Sequence, residues 1–119
     1  MPSASLVLYT GIMTSAHALI VDDERDIREL LSLSLGRMGL SAATAGTLAE
    51  AKALLDTQRF DICLTDMRLP DGNGLVLIEH AVRHFPHMPI AMVTAFGDVQ
   101  SAVGALKAGA FDFVSKPVD

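Results

Sequence analysis

The sequence predicts one α/β domain, a doubly wound parallel sheet with helices on both faces. From Ala18 onward, short apolar runs alternate with stretches of helical periodicity, and 119 residues is the length of a single domain. Half of the residues are hydrophobic, which excludes a disordered chain. We assign the domain to residues 17–119. Residues 1–16 carry no charged side chain and are interpreted as an N-terminal extension, either native or introduced with the cloned gene.

Each element follows from its local pattern. The predicted strands are the apolar runs 18–21, 42–45, 60–65, 89–93 and 111–115. The first predicted helix ends near Gly39, and its apolar residues are Ile27, Leu30, Leu31, Leu35 and Met38. Thr47 and Glu50 form a capping box that opens the second helix, which runs to about Gln58. The third helix has the apolar face Leu75, Ile78, Val82 and Phe85, and the fourth spans 98–107. Residues 70–74 are predicted to form a loop because of their Pro, Asp, Gly and Asn content.

Composition excludes several classes of protein. The net charge of −5 and the absence of Trp argue against direct nucleic-acid binding by this segment. No apolar run approaches the roughly 20 residues that span a bilayer, so no membrane contact is expected. Cys63 is the single cysteine, and it reads as a small core residue. Because a lone cysteine cannot form an internal disulfide, we expect a reducing, cytoplasmic setting.

Polar residues follow four of the five predicted strands. They are Asp22, Asp23 and Glu24 after the first, Asp66 after the third, Thr94 after the fourth and Lys116 after the fifth. The carboxyl ends of parallel strands share one edge of a sheet, where ligands bind in this class of fold. Each group alone has a plain structural explanation as a helix cap, a turn former, a strand-end hydroxyl or a solvated terminus. Their occurrence together at one edge favours a functional site.

The chemistry of these groups indicates phosphoryl transfer. Three carboxylates at one edge repel one another unless a cation is present, and oxygen ligands suit Mg²⁺. Lys116 and the Thr94 hydroxyl would then be partners for an anion beside the cation. An aspartate can act as a nucleophile and form an aspartyl-phosphate. The sequence contains neither a G-x-G-x-x-G nor a G-x-x-x-x-G-K-[ST] nucleotide-binding loop, and no G-x-S-x-G elbow. His80 and His84 have the spacing of a metal pair, but without an evident third ligand a solvated helix face is favoured.

Four segments resemble the receiver domain of two-component response regulators. They are ALIVDDE at 18–24, CLTDMRLPDGNGL at 63–75, MVTAFG at 92–97 and KAGAFDFVSKP at 107–117. Within that family, DMRLPDGNG and GAFDFVSKPVD are most similar to receivers of NtrC-like and PilR-like transcription factors. The resemblance implies a CheY-like, flavodoxin-like sheet of strand order 2-1-3-4-5. It also implies a sensor histidine kinase as partner and an output that controls transcription through a domain outside this chain.

The resemblance assigns roles to individual residues. Asp66 is similar to the phosphorylated aspartate, and Lys116 to the lysine that pairs with the phosphoryl group. The implied Mg²⁺ site consists of Asp22, Asp23, Asp66 and the backbone carbonyl of Arg68, with Asp23 as a direct ligand and Asp22 as the acidic partner that usually acts through water. Thr94 and Phe113 correspond to the family's switch pair, whose aromatic member is often Tyr. A cis peptide is implied between Lys116 and Pro117.

The family's sheet is followed by a fifth helix, which this sequence, ending at Asp119, does not include. We therefore expect apolar side chains of the sheet to be uncovered beside the first helix. Either residues 6–13 cover them or two chains form a homodimer through them, and the homodimer is slightly favoured.

The function predicted from the sequence is a phosphorylation-controlled switch that catalyses only its own phosphorylation and dephosphorylation. A Mg²⁺-dependent phosphatase with Asp66 as nucleophile is an alternative. Such an enzyme normally has a second carboxylate two residues later, where this chain has Arg68. A phosphate-independent interaction module is a third class, and the complete set of polar residues argues against it.

Overall fold

The structure is a computed structural model that describes residues 16–94 and 99–116. The strands are β1 His17–Val21, β2 Ser41–Ala45, β3 Ile62–Asp66, β4 Arg68–Leu69, β5 Gly72–Asn73, β6 Ile90–Thr94 and β7 Asp112–Ser115. The helices are α1 Arg25–Arg37, α2 Leu48–Thr57, α3 Gly74–His84 and α4 Val99–Ala108. Each predicted strand and helix is present, with ends that differ from the prediction by a few residues.

Five strands form one parallel sheet in the order β2-β1-β3-β6-β7. This is the predicted order 2-1-3-4-5 once the two short strands β4 and β5 are set aside. Those two pair with each other in an antiparallel hairpin, Arg68 opposite Asn73 and Leu69 opposite Gly72. The sequence predicts only a loop over residues 70–74, because strands of two residues show no periodicity. The hairpin matters for the site because it begins two residues after Asp66.

Local side-chain chemistry fixes the helix ends as predicted. The Thr47 hydroxyl accepts a hydrogen bond from the Glu50 backbone N–H at 3.1 Å and so caps α2. The Glu50 carboxylate accepts from the Gly46 N–H at 2.7 Å. Gly39 follows α1 with a φ of 89°, a conformation that favours glycine at the end of a helix.

One hydrophobic core joins β1, β3 and β6 to α2, α3 and α4. Its most deeply buried large side chains are Leu19, Leu77, Ile78 and Met92. Cys63 lies in the same core with a free thiol, as predicted. Burial raises the pKa of that thiol to about 12, so Cys63 is an inert packing residue in the folded chain.

The other face of the sheet is more closed than the sequence suggested. Ile20 and Val93 are buried, whereas their neighbour Val114 on the edge strand β7 is 47% exposed. The expected uncovered apolar surface is therefore reduced at β1 and β6, whereas Leu64 of the central strand β3 is partly exposed and Val114 is exposed at the sheet edge. Leu30 in α1 and Met38 at the C-cap of that helix are exposed, although both belong to the predicted apolar face.

Three sequence-based predictions fall outside the described residues. They are the covering role of residues 6–13, the exact start of the fourth helix at Asp98 and the cis peptide before Pro117. In the described parts of the chain, no helix is long and apolar enough to cross a lipid bilayer.

Candidate functional site

The carboxyl ends of four strands bring the predicted site residues together. Asp22 directly follows β1, and Asp66 and Thr94 are the last residues of β3 and β6. Lys116 follows β7, and its backbone N–H donates to the Thr94 carbonyl at 2.7 Å. The parallel register aligns Asp66 with Val93 and Thr94 with Ser115, so these ends stand side by side at one edge. This edge is the one that the topology predicts for a ligand site.

Asp22, Asp23 and Asp66 form a compact carboxylate cluster. One carboxylate oxygen from each lies within 4.8 Å of the others. Asp22 and Asp66 are buried, and Asp23 is exposed. Over residues 16–94 and 99–116, no other group of three or more His, Cys, Asp or Glu side chains has this arrangement.

Backbone N–H groups orient the two buried carboxylates. Asp22 Oδ1 accepts from the Glu24 N–H at 2.9 Å, and Asp66 Oδ1 accepts from the Met67 N–H at 2.7 Å. Arg28 Nη1 donates to the Asp22 backbone carbonyl at 2.9 Å and ties α1 to this edge. Each carboxylate therefore has one fixed oxygen, and its second oxygen faces the other groups of the site.

Lys116 is the cation at the centre of the site. Its Nζ lies 3.0 Å from Asp66 Oδ2, 3.0 Å from Glu24 Oε1 and 3.2 Å from Asp22 Oδ2. The first two contacts are hydrogen bonds. The contact to Asp22 Oδ2 is an ion pair without hydrogen-bond geometry, so this buried oxygen has no hydrogen-bond donor.

Burial and neighbouring charges shift the pKa values of Asp22 and Lys116. Burial raises the pKa of Asp22, the nearby charge of Asp66 raises it further, and the Glu24 N–H and Lys116 offset these effects only in part. Burial alone would lower the pKa of Lys116, but its contacts with Asp66, Glu24 and Asp22 raise that pKa above the usual range. Burial is thus the main factor that disfavours the ionised form of Asp22, and the single ammonium group of Lys116 compensates for it only in part.

These donors fit a hard divalent cation. All are carboxylate oxygens, and the buried Asp22 Oδ2 lacks a hydrogen-bond donor. Mg²⁺ prefers a small number of carboxylates completed by water and phosphate oxygens. Asp22, Asp23 and Asp66 are therefore the residues that would bind it. Arg68 begins the hairpin directly beyond Asp66, and the role of its carbonyl as a further ligand stays a prediction.

The loop after Asp66 is closely packed against that residue. The Gly74 N–H donates to the Met67 carbonyl at 2.6 Å, and a Cβ on Gly74 would collide with the Asp66 carbonyl oxygen. Only glycine fits at this point. The chain between Asp66 and α3 is thereby fixed close to the carboxylate cluster.

Asp71 anchors the same loop to α2. Its two carboxylate oxygens accept from the Leu48 and Ala49 N–H groups, at 2.8 and 3.0 Å. These two hydrogen bonds lower the pKa of Asp71. The sequence identified Asp71 only as a turn residue, because its partners are more than 20 positions away.

The predicted switch residues lie on the same face of neighbouring strands. Thr94 is paired with Ser115, and Phe113 is two residues before Ser115 on β7. Thr94 is buried, whereas Phe113 is 42% exposed. The structure thus places the aromatic side chain partly in solvent, diagonal to the strand-end threonine.

Sequence reasoning missed the role of Glu24 as a partner of Lys116. The two residues are 92 positions apart, so no local pattern could indicate their contact.

The rings of His80 and His84 are tilted by 49° to each other, with centroids 4.7 Å apart. His84 is exposed and His80 is half-buried, and burial lowers the pKa of His80.

Comparison with known proteins decides the family. The sequence profile described as "Response regulator receiver domain" matches residues 18–119. The chain belongs to the response regulator receiver domain family. This confirms the resemblance drawn from the sequence, and the receiver fold is the predicted one.

Receiver domains of named regulators are similar to this chain. It is 56% identical over 107 residues to the response regulator protein PilR of Pseudomonas aeruginosa. The matched residues make up 90% of this chain and 24% of PilR. It is 38% identical to the DNA-binding transcriptional regulator NtrC of Klebsiella pneumoniae, over 86% of this chain and 22% of that protein. The chain thus spans about a quarter of the length of the curated relatives that it matches.

Solved receiver structures superimpose closely. The CheY-like receiver domain from Methanospirillum hungatei has a TM-score of 0.81 and 33% identity, covering 89% of this chain and 85% of that one. The beryllofluoride-activated NtrC4 receiver domain dimer has a TM-score of 0.78 and 35% identity, covering 87% and 85%. The second comparison agrees with the NtrC-like character that the sequence predicts.

Proposed function

We propose that this receiver domain is a switch operated by phosphorylation of Asp66. The phosphoryl group comes from a phosphohistidine of a sensor kinase. One observation carries the proposal: Asp66 is buried at the strand edge, with one oxygen bound by the Met67 N–H and the other by the Lys116 ammonium. An aspartate so oriented, beside a carboxylate cluster that fits Mg²⁺, is equipped to take a phosphoryl group.

The chemical step is an exchange of bonds at phosphorus. An Asp66 carboxylate oxygen attacks the phosphorus, a P–O bond forms, and the P–N bond to the donor histidine breaks. The other ring nitrogen of the phosphohistidine is protonated by water before transfer, so the histidine leaves as a neutral imidazole. Lys116 then pairs with a phosphoryl oxygen, and the Thr94 hydroxyl donates to another. Mg²⁺, when bound by Asp22, Asp23 and Asp66 with the Arg68 carbonyl, supplies positive charge for the transferring oxygens.

Hydrolysis completes the switch. Water attacks the phosphorus, the bond between the Asp66 oxygen and phosphorus breaks, and the Asp66 carboxylate and inorganic phosphate are released. In this proposal the domain catalyses only these two reactions on itself. A phosphatase acting on other molecules is disfavoured because Arg68, rather than a carboxylate, stands two residues after Asp66.

The proposal extends to what the switch controls. PilR and NtrC are named as a response regulator and a transcriptional regulator. We therefore propose that phosphorylation of this domain controls transcription through a separate output domain.

Direct contact with nucleic acid or membrane by this segment is not part of the proposal. A cytoplasmic location is part of it, and the free thiol of Cys63 supports a reducing compartment.

Association of two chains is a further part of the proposed function. The sequence predicts association through the sheet face beside α1, and Val114 of the edge strand β7 is exposed there. Other exposed apolar side chains near this edge are Phe111, Phe113, Val103 and Leu106. The similar NtrC4 receiver domain is a dimer in its beryllofluoride-activated form. The exposed apolar surface at this edge supports a homodimer.

Incubation with acetyl phosphate tests the proposal. Intact-protein mass spectrometry should show the mass of one added phosphoryl group with Mg²⁺ present and none with EDTA. The added mass should disappear with hydroxylamine, which cleaves acyl phosphates. Absence of the added mass under all conditions would refute the proposed function.

A further inference from the structure

Among the described residues, Glu24 is the one carboxylate bound to Lys116 that does not belong to the cluster expected to bind a cation. We propose that Glu24 is a positioning residue for Lys116. It retains the ammonium group at the strand edge when a divalent cation takes the oxygens of Asp22 and Asp66. This inference rests on the proposed function of the site.

The Lys116 ammonium group and a divalent cation would compete for the same two aspartates. Lys116 Nζ lies 3.2 Å from Asp22 Oδ2 and 3.0 Å from Asp66 Oδ2, and both residues contribute oxygens to the carboxylate cluster. A divalent cation in that cluster repels the ammonium group and competes with it for the carboxylates of Asp22 and Asp66. Binding of the cation therefore removes partners of Lys116.

The position of Glu24 makes it the remaining partner. Its Oε1 lies 3.0 Å from Lys116 Nζ, and its side chain is 60% exposed, whereas that of Lys116 is 18% exposed. Glu24 is thus at the solvent side of the site. Rotation of the Lys116 side chain toward Glu24 would take the ammonium group away from the cluster and keep its ion pair with Glu24.

The backbone of Glu24 is fixed, and its side chain is available. Its N–H donates to Asp22 Oδ1 at 2.9 Å, and its carbonyl accepts from the Arg28 N–H at 3.1 Å. Glu24 occupies the N-cap of α1, yet its side chain makes no capping hydrogen bond. The carboxylate is directed to Lys116 instead of to its own helix.

Glu24 therefore affects both the position of Lys116 and the affinity of the site for Mg²⁺. With Glu24 present, Lys116 stays within reach of a phosphoryl oxygen that arrives on Asp66. Without it, the cation can bind only by leaving Lys116 without a carboxylate partner. Loss of the Glu24 charge should therefore weaken Mg²⁺ binding, and it should do so through Lys116.

A double-mutant cycle tests this coupling. Mg²⁺ titrations of the full chain are followed by NMR through the Met67 amide, which donates to Asp66 Oδ1. The variants are Glu24→Gln, Lys116→Met and the combination of both. Glu29→Gln is the matched control, since Glu29 is an exposed glutamate on α1 that pairs with Arg25.

The expected result is that Glu24→Gln weakens Mg²⁺ binding roughly two- to fivefold, the range for a partly exposed ion pair. Glu29→Gln should leave the affinity unchanged, and Glu24→Gln should have no effect in the Lys116→Met background. Equal affinities for Glu24→Gln and Glu29→Gln would overturn the role of Glu24. A loss that persists without Lys116 would also overturn it, because the charge would then act on the cation directly. Failure of the native chain to bind Mg²⁺ would instead refute the proposed function of the site.

Discussion

Lys116 Nζ lies 3.0 Å from Asp66 Oδ2, although 50 positions separate the two residues in the chain. The contact exists because β3 and β7 are parallel strands of one sheet that flank β6, so their carboxyl ends meet at one edge. A nucleophilic carboxylate and the cation that neutralises its product are thus placed together by topology.

Substitution of Gly74 by alanine should lower the stability of the fold, because the added methyl group has no space. A Cβ at this position would collide with the Asp66 backbone carbonyl, which cannot move without shifting β3. We expect Gly74→Ala to destabilise the fold by about 1–3 kcal/mol, the usual cost of overpacking. Thermal denaturation monitored by circular dichroism gives the change.

Gly36→Ala is the matched control for this variant. A Cβ on Gly36 meets no atom within 4 Å, and the residue lies in α1. Alanine is the better helix former by about 0.5–1 kcal/mol, so Gly36→Ala should raise the melting temperature. Equal melting temperatures for Gly74→Ala and the native chain would contradict the close packing of the loop.

Asp71 should stabilise the fold in a pH-dependent manner. Its hydrogen bonds to the Leu48 and Ala49 N–H groups lower its pKa in the folded chain. A lowered carboxylate pKa contributes stability above the unfolded-state value of about 3.9, and that contribution disappears as the pH falls through the folded-state pKa. Asp71→Asn should therefore lower the melting temperature at pH 7, and the difference from the native chain should shrink toward pH 3.

Asp56→Asn provides the comparison at the other end of the same helix. Asp56 is an exposed carboxylate in the last turn of α2, where a negative charge opposes the helix dipole. Its removal should leave the melting temperature unchanged or raise it slightly. A pH-independent effect of Asp71→Asn would show that its charge does not anchor the loop.

The fold and much of the site were predictable from local patterns. Apolar runs located the five sheet strands, and the Thr47–Glu50 box located the start of α2, because both signals lie within a few neighbouring residues. The presence of Asp22, Asp66, Thr94 and Lys116 at one edge followed from the strand ends.

Contacts between distant side chains were not predictable. The partnership of Glu24 with Lys116 and the capping of α2 by Asp71 depend on how side chains from separate elements meet. The burial of Ile20 and Val93 likewise depends on packing across the sheet face, which periodicity along one strand does not reveal.

Asp23 should destabilise the metal-free domain and strengthen cation binding. Its carboxylate lies within 4.8 Å of those of Asp22 and Asp66, so its charge is repelled when no cation is bound. Asp23→Ala should raise the melting temperature by a few degrees in EDTA and weaken Mg²⁺ binding by about tenfold or more.

Asp26→Ala is a suitable control because Asp26 is acidic but lies in the first turn of α1. There its charge favours the helix, so its removal should lower the melting temperature slightly and leave Mg²⁺ affinity intact. An unaltered Mg²⁺ titration for Asp23→Ala would argue against Asp23 as a ligand.

Thr94 should couple phosphorylation to the position of the Phe113 ring. If the Thr94 hydroxyl turns toward a phosphoryl oxygen, the space behind it opens to the half-exposed ring on the same sheet face. NMR of labelled phenylalanine should show a shift of the Phe113 ring resonances on phosphorylation. Thr94→Ala should reduce that shift, and Thr44→Ala, an exposed threonine on β2, should not. Equal ring shifts in the native chain and Thr94→Ala would exclude the coupling.

The central claim is that Asp66 is the phosphorylated residue, and Asp66→Asn tests it most directly. Asparagine keeps the size of the side chain but removes the nucleophilic carboxylate, so the fold should persist and phosphoryl incorporation should cease. The measurement is intact-protein mass spectrometry after incubation with acetyl phosphate and Mg²⁺, beside the native chain and Asp56→Asn. The account predicts one acid-labile phosphoryl group on the native chain and on Asp56→Asn, and none on Asp66→Asn. An undiminished phosphoryl mass on a folded Asp66→Asn variant would contradict it.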